Sequence, residues 1–231
     1  MIAIIVPVHN EEKTLAACLD ALLLAASHPQ IVCTDVQIIV VLDSCSDASH
    51  TIASSRDVVV MTVAKRNVGA ARAAGSAQAI NSGATWLAHT DADTIVASDW
   101  LWRQRSLGTE VVCGTVVVDD WSDHGEADQL LAAHFAATYT DADGHRHIHG
   151  ANLGVSVNAY LRAGGFRSLS CSEDVALVNS LIATGATFSW SAAPRVITSA
   201  RGKGRASGGF ADTLTAVVRR ALGREPCSRL T

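Results

Sequence analysis

Apolar and polar positions follow two rhythms along this chain, and in the first half they take turns. Ile2–Val8 carries no polar residue, as a strand buried on both faces would. Glu11–Ala26 follows with Leu15, Leu19, Leu22 and Leu23 on one helical stripe and two glutamates at the positive helix start. Val36–Leu42 predicts a second strand, Ser46–Ser55 a short helix and Val58–Val63 a third strand. An alanine-rich helix over Gly69–Asn81 and a strand over Thr85–Thr90 complete the series. Strands alternating with helices at this spacing predict βαβ units and a parallel sheet, whose ligands sit beyond the carboxyl ends of the strands.

The second half is less regular. It predicts a strand over Val111–Val118, an amphipathic helix over His124–Thr138, a short strand over Asn152–Val157, a helix over Glu173–Thr184 and a strand over Val196–Ser199. A Gly/Arg-rich stretch, Arg201–Gly209, precedes a last helix at Phe210–Leu222 and a frayed tail, Gly223–Thr231. No linker divides the chain. It reads as one domain over 1–222, with halves of about 1–95 and 96–222 and a flexible tail over 223–231.

Composition narrows the partners. Of 231 residues 48% are hydrophobic and 17% charged, which excludes disorder, and a net charge of −4 leaves no basic field for nucleic acid or an anionic membrane. The six cysteines are scattered without a C-x-x-C pair, so the expected state is free thiols in a reducing compartment. With no basic leader and no apolar run of spanning length, the expected location is soluble and cytoplasmic.

Polar clusters follow three of the predicted strands: Pro7-Val8-His9-Asn10, Asp43-Ser44-Cys45-Ser46-Asp47 and Asp91-Ala92-Asp93. The topology brings them to one sheet edge. Extended backbone returns Asp91 and Asp93 to the same side, where two carboxylates suit a hard divalent cation that shares its remaining positions with water and phosphate.

In this order, with Val68-Gly69-Ala70-Ala71-Arg72-Ala73-Ala74-Gly75 between the second and third clusters and Glu173-Asp174 after them, the chain from Ile2 to about Leu222 resembles the family 2 glycosyltransferases. The resemblance implies a GT-A-type α/β fold: a mostly parallel sheet flanked by helices, a Rossmann-like nucleotide-binding first half and a mixed acceptor-side second half. It implies an inverting, metal-dependent transferase that uses Mn2+ or Mg2+, takes a nucleoside-diphosphate sugar (a UDP-sugar above all) and delivers one sugar to an acceptor hydroxyl. Pro7, His9, Glu11, Asp43 and Arg72 would then hold the nucleotide. Asp91 would approach the ribose beside the metal, Asp93 would ligate the metal, and Asp174 would be the general base with Glu173 beside it. Gly150-Ala151-Asn152 is similar to the family's strand near the donor sugar, which makes His149 and Asn152 candidates for sugar contact.

Two departures stand out. Ala73 replaces the family's usual Asn, and the Gln-x-x-Arg-Trp segment of processive synthases is absent, which favours single-sugar transfer. A sugar-1-phosphate nucleotidyltransferase would need a Gly-rich phosphate loop after the first strand, which Val6-Pro7-Val8-His9 is not. A nucleotide-sugar binding module without turnover is the reading outside enzymes. Arg201, Lys203 and Arg205, interleaved with glycines, suggest a lid that supplies donors to the departing diphosphate. His145, His147 and His149 would share one face of an extended segment, a spacing open to a transition metal or to a plain polar edge.

Overall fold

A computed structural model describes residues 1–31 and 34–201. Cys33, Cys227, Lys203, Arg205, the expected helix at Phe210–Leu222 and the tail lie outside the described residues. The strands are β1 (Ile2–Val8), β2 (Val36–Asp43), β3 (Val59–Val63), β4 (Trp86–His89), β5 (Thr94–Val96), β6 (Val111–Val117), β7 (Leu153–Ser156) and β8 (Phe188–Thr198). The helices are α1 (Leu15–Ala26), α2 (Ser49–Ser54), α3 (Val68–Asn81), α4 (Trp100–Ser106), α5 (Asp128–Thr138), α6 (Val157–Arg162) and α7 (Glu173–Ala183).

The eight strands of the described residues join one sheet in the order β3-β2-β1-β4-β7-β6-β8-β5. β1 pairs in parallel with β2 and β4, and β2 with β3, so the predicted parallel half is present. Beyond β4 the sheet is mixed: β7 runs antiparallel to both β4 and β6, β8 is parallel to β6, and β5 is antiparallel to β8.

Two hydrophobic layers sandwich the sheet. Ile2, Ile4, Val6 and Val8 of β1 meet Leu15, Leu19 and Leu22 of α1 on one face, together with Trp100 and Leu101 of α4. Ala3 and Ile5 turn the other way, toward Ala71 and Ala79 of α3 and Leu177, Val178 and Leu181 of α7. The small residues of α3 have a steric cause. A Cβ on Gly75 would lie 2.7 Å from Ile5 Cγ2 and 2.9 Å from Val41 Cγ2, so the helix rides directly on the sheet. Pro7, one residue from the end of the buried β1, is tolerated because β1–β4 pairing ends at Ile5↔His89, two residues before it.

Several elements differ from expectation. The short elements β5, α4 and α6 carry too few residues for a period to register. The expected helix from His124 is a 3-10 turn over Ser122–Ala127, kinked at Gly125 (φ 55°), with α5 beginning only at Asp128. β8 starts eight residues before the expected Val196. Its register against β6 shifts between Gly114 and Val116, where Pro194 lies in the irregular stretch. Among the described residues no helix is long and apolar enough to cross a membrane, and Cys18, Cys45, Cys113 and Cys171 are free thiols.

Candidate active site

The polar clusters do converge at the carboxyl edge of the parallel strands, and the loops that carry them are tied to one another. Asn10 Oδ1 accepts the Ser46 N–H at 2.8 Å, the Glu12 N–H reaches Asp47 Oδ2 at 2.9 Å, and Glu12 Oε2 accepts the Ala48 N–H at 3.1 Å. Among the described residues four non-glycines adopt positive φ: Asn10 (55°), Ser44 (56°), Arg66 (46°) and Ser172 (58°). The first three follow β1, β2 and β3, and the fourth precedes α7, so all four local strains ring the same edge.

Asp43 is a buried organiser. Its carboxylate accepts the backbone N–H groups of Lys65 (2.7 Å), Arg66 (2.8 Å) and Asn67 (2.8 Å) and the Ser44 hydroxyl (3.1 Å). Burial opposes its charge, but the three amides outweigh burial and hold the carboxyl below the usual range. The same collar positions Asn67, whose side chain caps α3 by accepting the Ala70 N–H at 2.8 Å. His9 is fixed alongside, its Nδ1 2.6 Å from the Asp43 carbonyl oxygen.

Arg72 does not face solvent as a surface helix residue would. It lies buried under Gly150, with one guanidinium nitrogen 2.5 Å from Asp91 Oδ1 and another 3.5 Å from the Thr90 carbonyl. Its Nε lies 3.4 Å from Glu173 Oε1, an ion-pair contact without hydrogen-bond alignment. The guanidinium also stands 5.7 Å from the centre of the Phe166 ring. Burial pushes the Glu173 carboxyl up, and Arg72 opposes that rise. Asp174, the next residue, is half-buried and accepts the Gly150 N–H at 2.8 Å through Oδ2. Gly69 makes room for this corner, since a Cβ there would meet the Arg167 carbonyl at 2.2 Å.

Asp93 and Glu11 form the second acidic corner. They are bridged by Arg201, which follows β8: one guanidinium nitrogen is 2.6 Å from Glu11 Oε1 and the other 2.9 Å from Asp93 Oδ2. Burial, with Asp91 and Glu11 adding repulsion, pushes the Asp93 carboxyl up to about 6 in spite of Arg201. Among the described residues no three His, Cys, Asp or Glu side chains lie close enough to hold a metal by themselves. Asp93 and Glu11 nevertheless fit a hard divalent cation: they are oxygen donors that already share one cation, with further positions left to water and phosphate.

Two expectations need correction. Asn152 cannot reach a sugar, because it is fully buried and its amide is spent. Its Nδ2 donates to the Thr115 and Pro194 carbonyls, each at 2.7 Å, and its Oδ1 accepts the Trp100 indole N–H at 2.8 Å. It pins the irregular stretch of β8 to β6. The histidine run does share one side, but as a stack rather than a ligand set, with His147 4.1 Å from the Tyr139 ring centre. His145 contacts the Cys113 carbonyl through Nε2 and accepts the His147 N–H through Nδ1, while His147 Nε2 accepts the Thr140 N–H. The Tyr139 hydroxyl accepts the Val116 N–H and shares a hydrogen bond of 2.9 Å with His149 Nε2. Burial lowers the His149 pKa to about 4.

A carboxylate pair past β4 and a second pair opening α7 thus lie at the carboxyl edge of a helix-covered α/β sheet. Residues 3–161 match the family Glycosyl transferase family 2, and the chain belongs to it. Its fold is similar to that of TarS from S. aureus in complex with UDP-GlcNAc, with a TM-score of 0.66 and 15% identity over 100% of this chain and 68% of that one. It is also similar to the mannosyltransferase PcManGT from Pyrobaculum calidifontis in complex with GDP-Man and Mn2+, with a TM-score of 0.62 and 17% identity over 88% of this chain and 58% of that one. A mycobacterial protein matches with a TM-score of 0.56 and 15% identity, covering 98% of this chain and 76% of that chain. At these identities the likeness is one of fold. No curated protein matches the sequence.

Proposed function

We propose that this family 2 glycosyltransferase moves a single sugar from a UDP-sugar to an acceptor hydroxyl with inversion, using a divalent cation. The observation that carries the reading is the ion network Asp91–Arg72–Glu173, which ties the carboxylates past β4 to the acidic start of α7. Among the structural relatives, TarS is bound to UDP-GlcNAc and PcManGT to GDP-Man with Mn2+, which supports a nucleotide-sugar donor and a metal.

In this reading His9, Glu11 and the collar around Asp43 form the wall for the nucleotide, and Asp91 stands beside the ribose. Asp174 accepts the proton of the acceptor hydroxyl as its oxygen forms the new bond to C1. The bond from C1 to the diphosphate oxygen breaks on the opposite side, and its electron pair leaves with the nucleoside diphosphate. Asp93, with Glu11 beside it, would hold Mn2+ or Mg2+, which supplies Lewis-acid stabilisation of the leaving diphosphate when bound. The Gly150 N–H orients Asp174, and Glu173 is held back by Arg72 as a neighbour rather than as the base.

Donor turnover with UDP-sugars, measured with and without manganese and with the anomeric form of the product read by NMR, tests the reading. Asp174→Asn should keep donor affinity and lower turnover at least about a hundredfold, the low end for loss of a general base. Near-normal transfer by that variant would remove Asp174 from the chemistry. Donor binding without any turnover across acceptors would favour a binding module instead.

A further inference from the structure

Arg201 sits where two carboxylates from distant parts of the chain meet. Its backbone N–H is fixed on Ser199 Oγ at 3.2 Å, and its fork reaches Glu11 at 2.6 Å and Asp93 at 2.9 Å. The two carboxylates are almost closed to water, with side chains 7% and 8% exposed, whereas the arginine is 26% exposed and borders the cleft. Its only described carboxylate partners within ion-pair distance are these two.

The oxygens that hold this guanidinium are the ones a hard divalent ion would take. Metal–oxygen bonds of about 2.0–2.2 Å would draw the carboxylates inward, and a divalent ion on the oxygens that now hold the guanidinium would repel it at close range. Asp93 and Glu11 alone also provide too few ligands, so the coordination must be completed by something else. A diphosphate does this, and it also offers the fork of an arginine a new bidentate partner.

We propose that Arg201 is an internal counter-ion that closes the cation position in the free protein and passes to the diphosphate when nucleotide and metal enter together. This rests on the metal-dependent reading above and assigns Arg201 a positioning role within it. Arg201 exchanges one set of charge-assisted hydrogen bonds for another, so the swap needs no unpaired charge at any stage. Metal and nucleotide binding become strongly coupled, and the coupling is reciprocal. The free protein is kept from capturing metal in a form without donor.

Mn2+ binding measured by EPR and UDP binding measured by calorimetry, each alone and together, test this on the wild type, Arg201→Gln and Asp93→Asn. Arg201→Gln should bind Mn2+ alone at least about tenfold more tightly than wild type, because charge-assisted hydrogen bonds no longer have to be broken first. The same variant should bind UDP with Mn2+ more weakly, and the factor by which each ligand aids the other should shrink. Arg201→Lys keeps the charge but loses the fork, so its Mn2+ affinity should fall between the two, which provides a second reading if the glutamine variant folds poorly. Unchanged or weaker Mn2+ binding by both Arg201 variants, with Asp93→Asn still abolishing the aid that Mn2+ gives UDP, overturns the counter-ion role and leaves the metal site standing. UDP affinity indifferent to Mn2+ in wild type and Asp93→Asn alike overturns the metal reading, and the counter-ion role with it.

Discussion

Replacing Arg72 by methionine keeps most of the side-chain volume and removes the charge that two acidic groups share. Arg72 is 1% exposed, so the change is made in the interior. Deleting one partner of a buried ion pair costs about 3–5 kcal/mol when the other is stranded. Two features of the site reduce that figure. The Asp91 side chain is 36% exposed and can regain water, and Glu173, already pushed up by burial, can take a proton instead of keeping an uncompensated charge. The expected loss is therefore about 2–3 kcal/mol. An acid whose folded-state pKa is raised binds more protons folded than unfolded, so its contribution to stability falls as pH rises through that window. Arg72→Met removes the cation opposing the rise in Glu173, so its deficit against wild type should widen from mildly acidic to mildly alkaline pH. Adding Glu173→Gln should recover about 1 kcal/mol and flatten that pH dependence. Urea unfolding of the four proteins of this cycle across pH provides the measurement. A single variant within about 0.5 kcal/mol of wild type would refute the reasoning, as would a deficit indifferent to Glu173→Gln.

Three further outcomes follow from the geometry. Gly75→Ala should destabilise by about 1–3 kcal/mol in urea unfolding in spite of the better helix propensity of alanine, since its Cβ would press on Ile5 and Val41; a gain in stability would mean that α3 stands off the sheet. Asn152→Ala strands an indole N–H and two carbonyls in the interior, so it should cost about 3–5 kcal/mol while leaving UDP affinity within about twofold in calorimetry. His149 is held neutral, its pKa lowered from 6.5 to about 4, so the unfolded chain binds the extra proton between those values and stability falls as pH drops through them. His149→Gln should remove up to about 3 kcal/mol of that acid sensitivity, read as a shallower fall of the unfolding midpoint.

Much of the parallel half was legible because its signals are local. A short β-branched run without polar residues, as in Ile2–Val8, suits a strand covered on both faces, and the leucine stripe of α1 names its own buried side. The edge on which the acidic residues meet follows from the parallel order alone. What could not be read depends on contacts far apart in the chain. Arg72 sits among alanines that say nothing of a guanidinium turned inward toward Asp91 and Glu173. Asn152 sits in a sugar-strand motif, but its partners come from β6, β8 and α4. The beginning of β8, Phe188-Ser189-Trp190-Ser191, does alternate as a strand would, but four residues are a short signal, and Ala192, Ala193 and Pro194 separate it from the apolar end at Val196. The ties of Glu12 to Asp47 and Ala48 and of Asn10 to Ser46 had a faint signal, polar residues at matched distances past two neighbouring parallel strands, and a reading of register would have found them.

The late place of β8 in the chain bears on the order in which this protein gains and loses structure. β1 to β4 and the helices between them are complete by His89, whereas Arg201 meets Glu11 across a sequence separation of 190. Loop closure over such a distance follows the local pairings rather than leading them. The carboxylates past β1 and β4 are thus set in place before their cation arrives with the end of β8, and among the described strands the outer neighbour of that end is the three-residue β5. Opening of that outer edge exposes Asp93 and Glu11 without disturbing β1 or β2. Amide exchange would record it as fast exchange at Thr94–Val96 and Val196–Thr198 beside slow exchange in the parallel strands, a local unfolding unit that coincides with the mouth of the cleft.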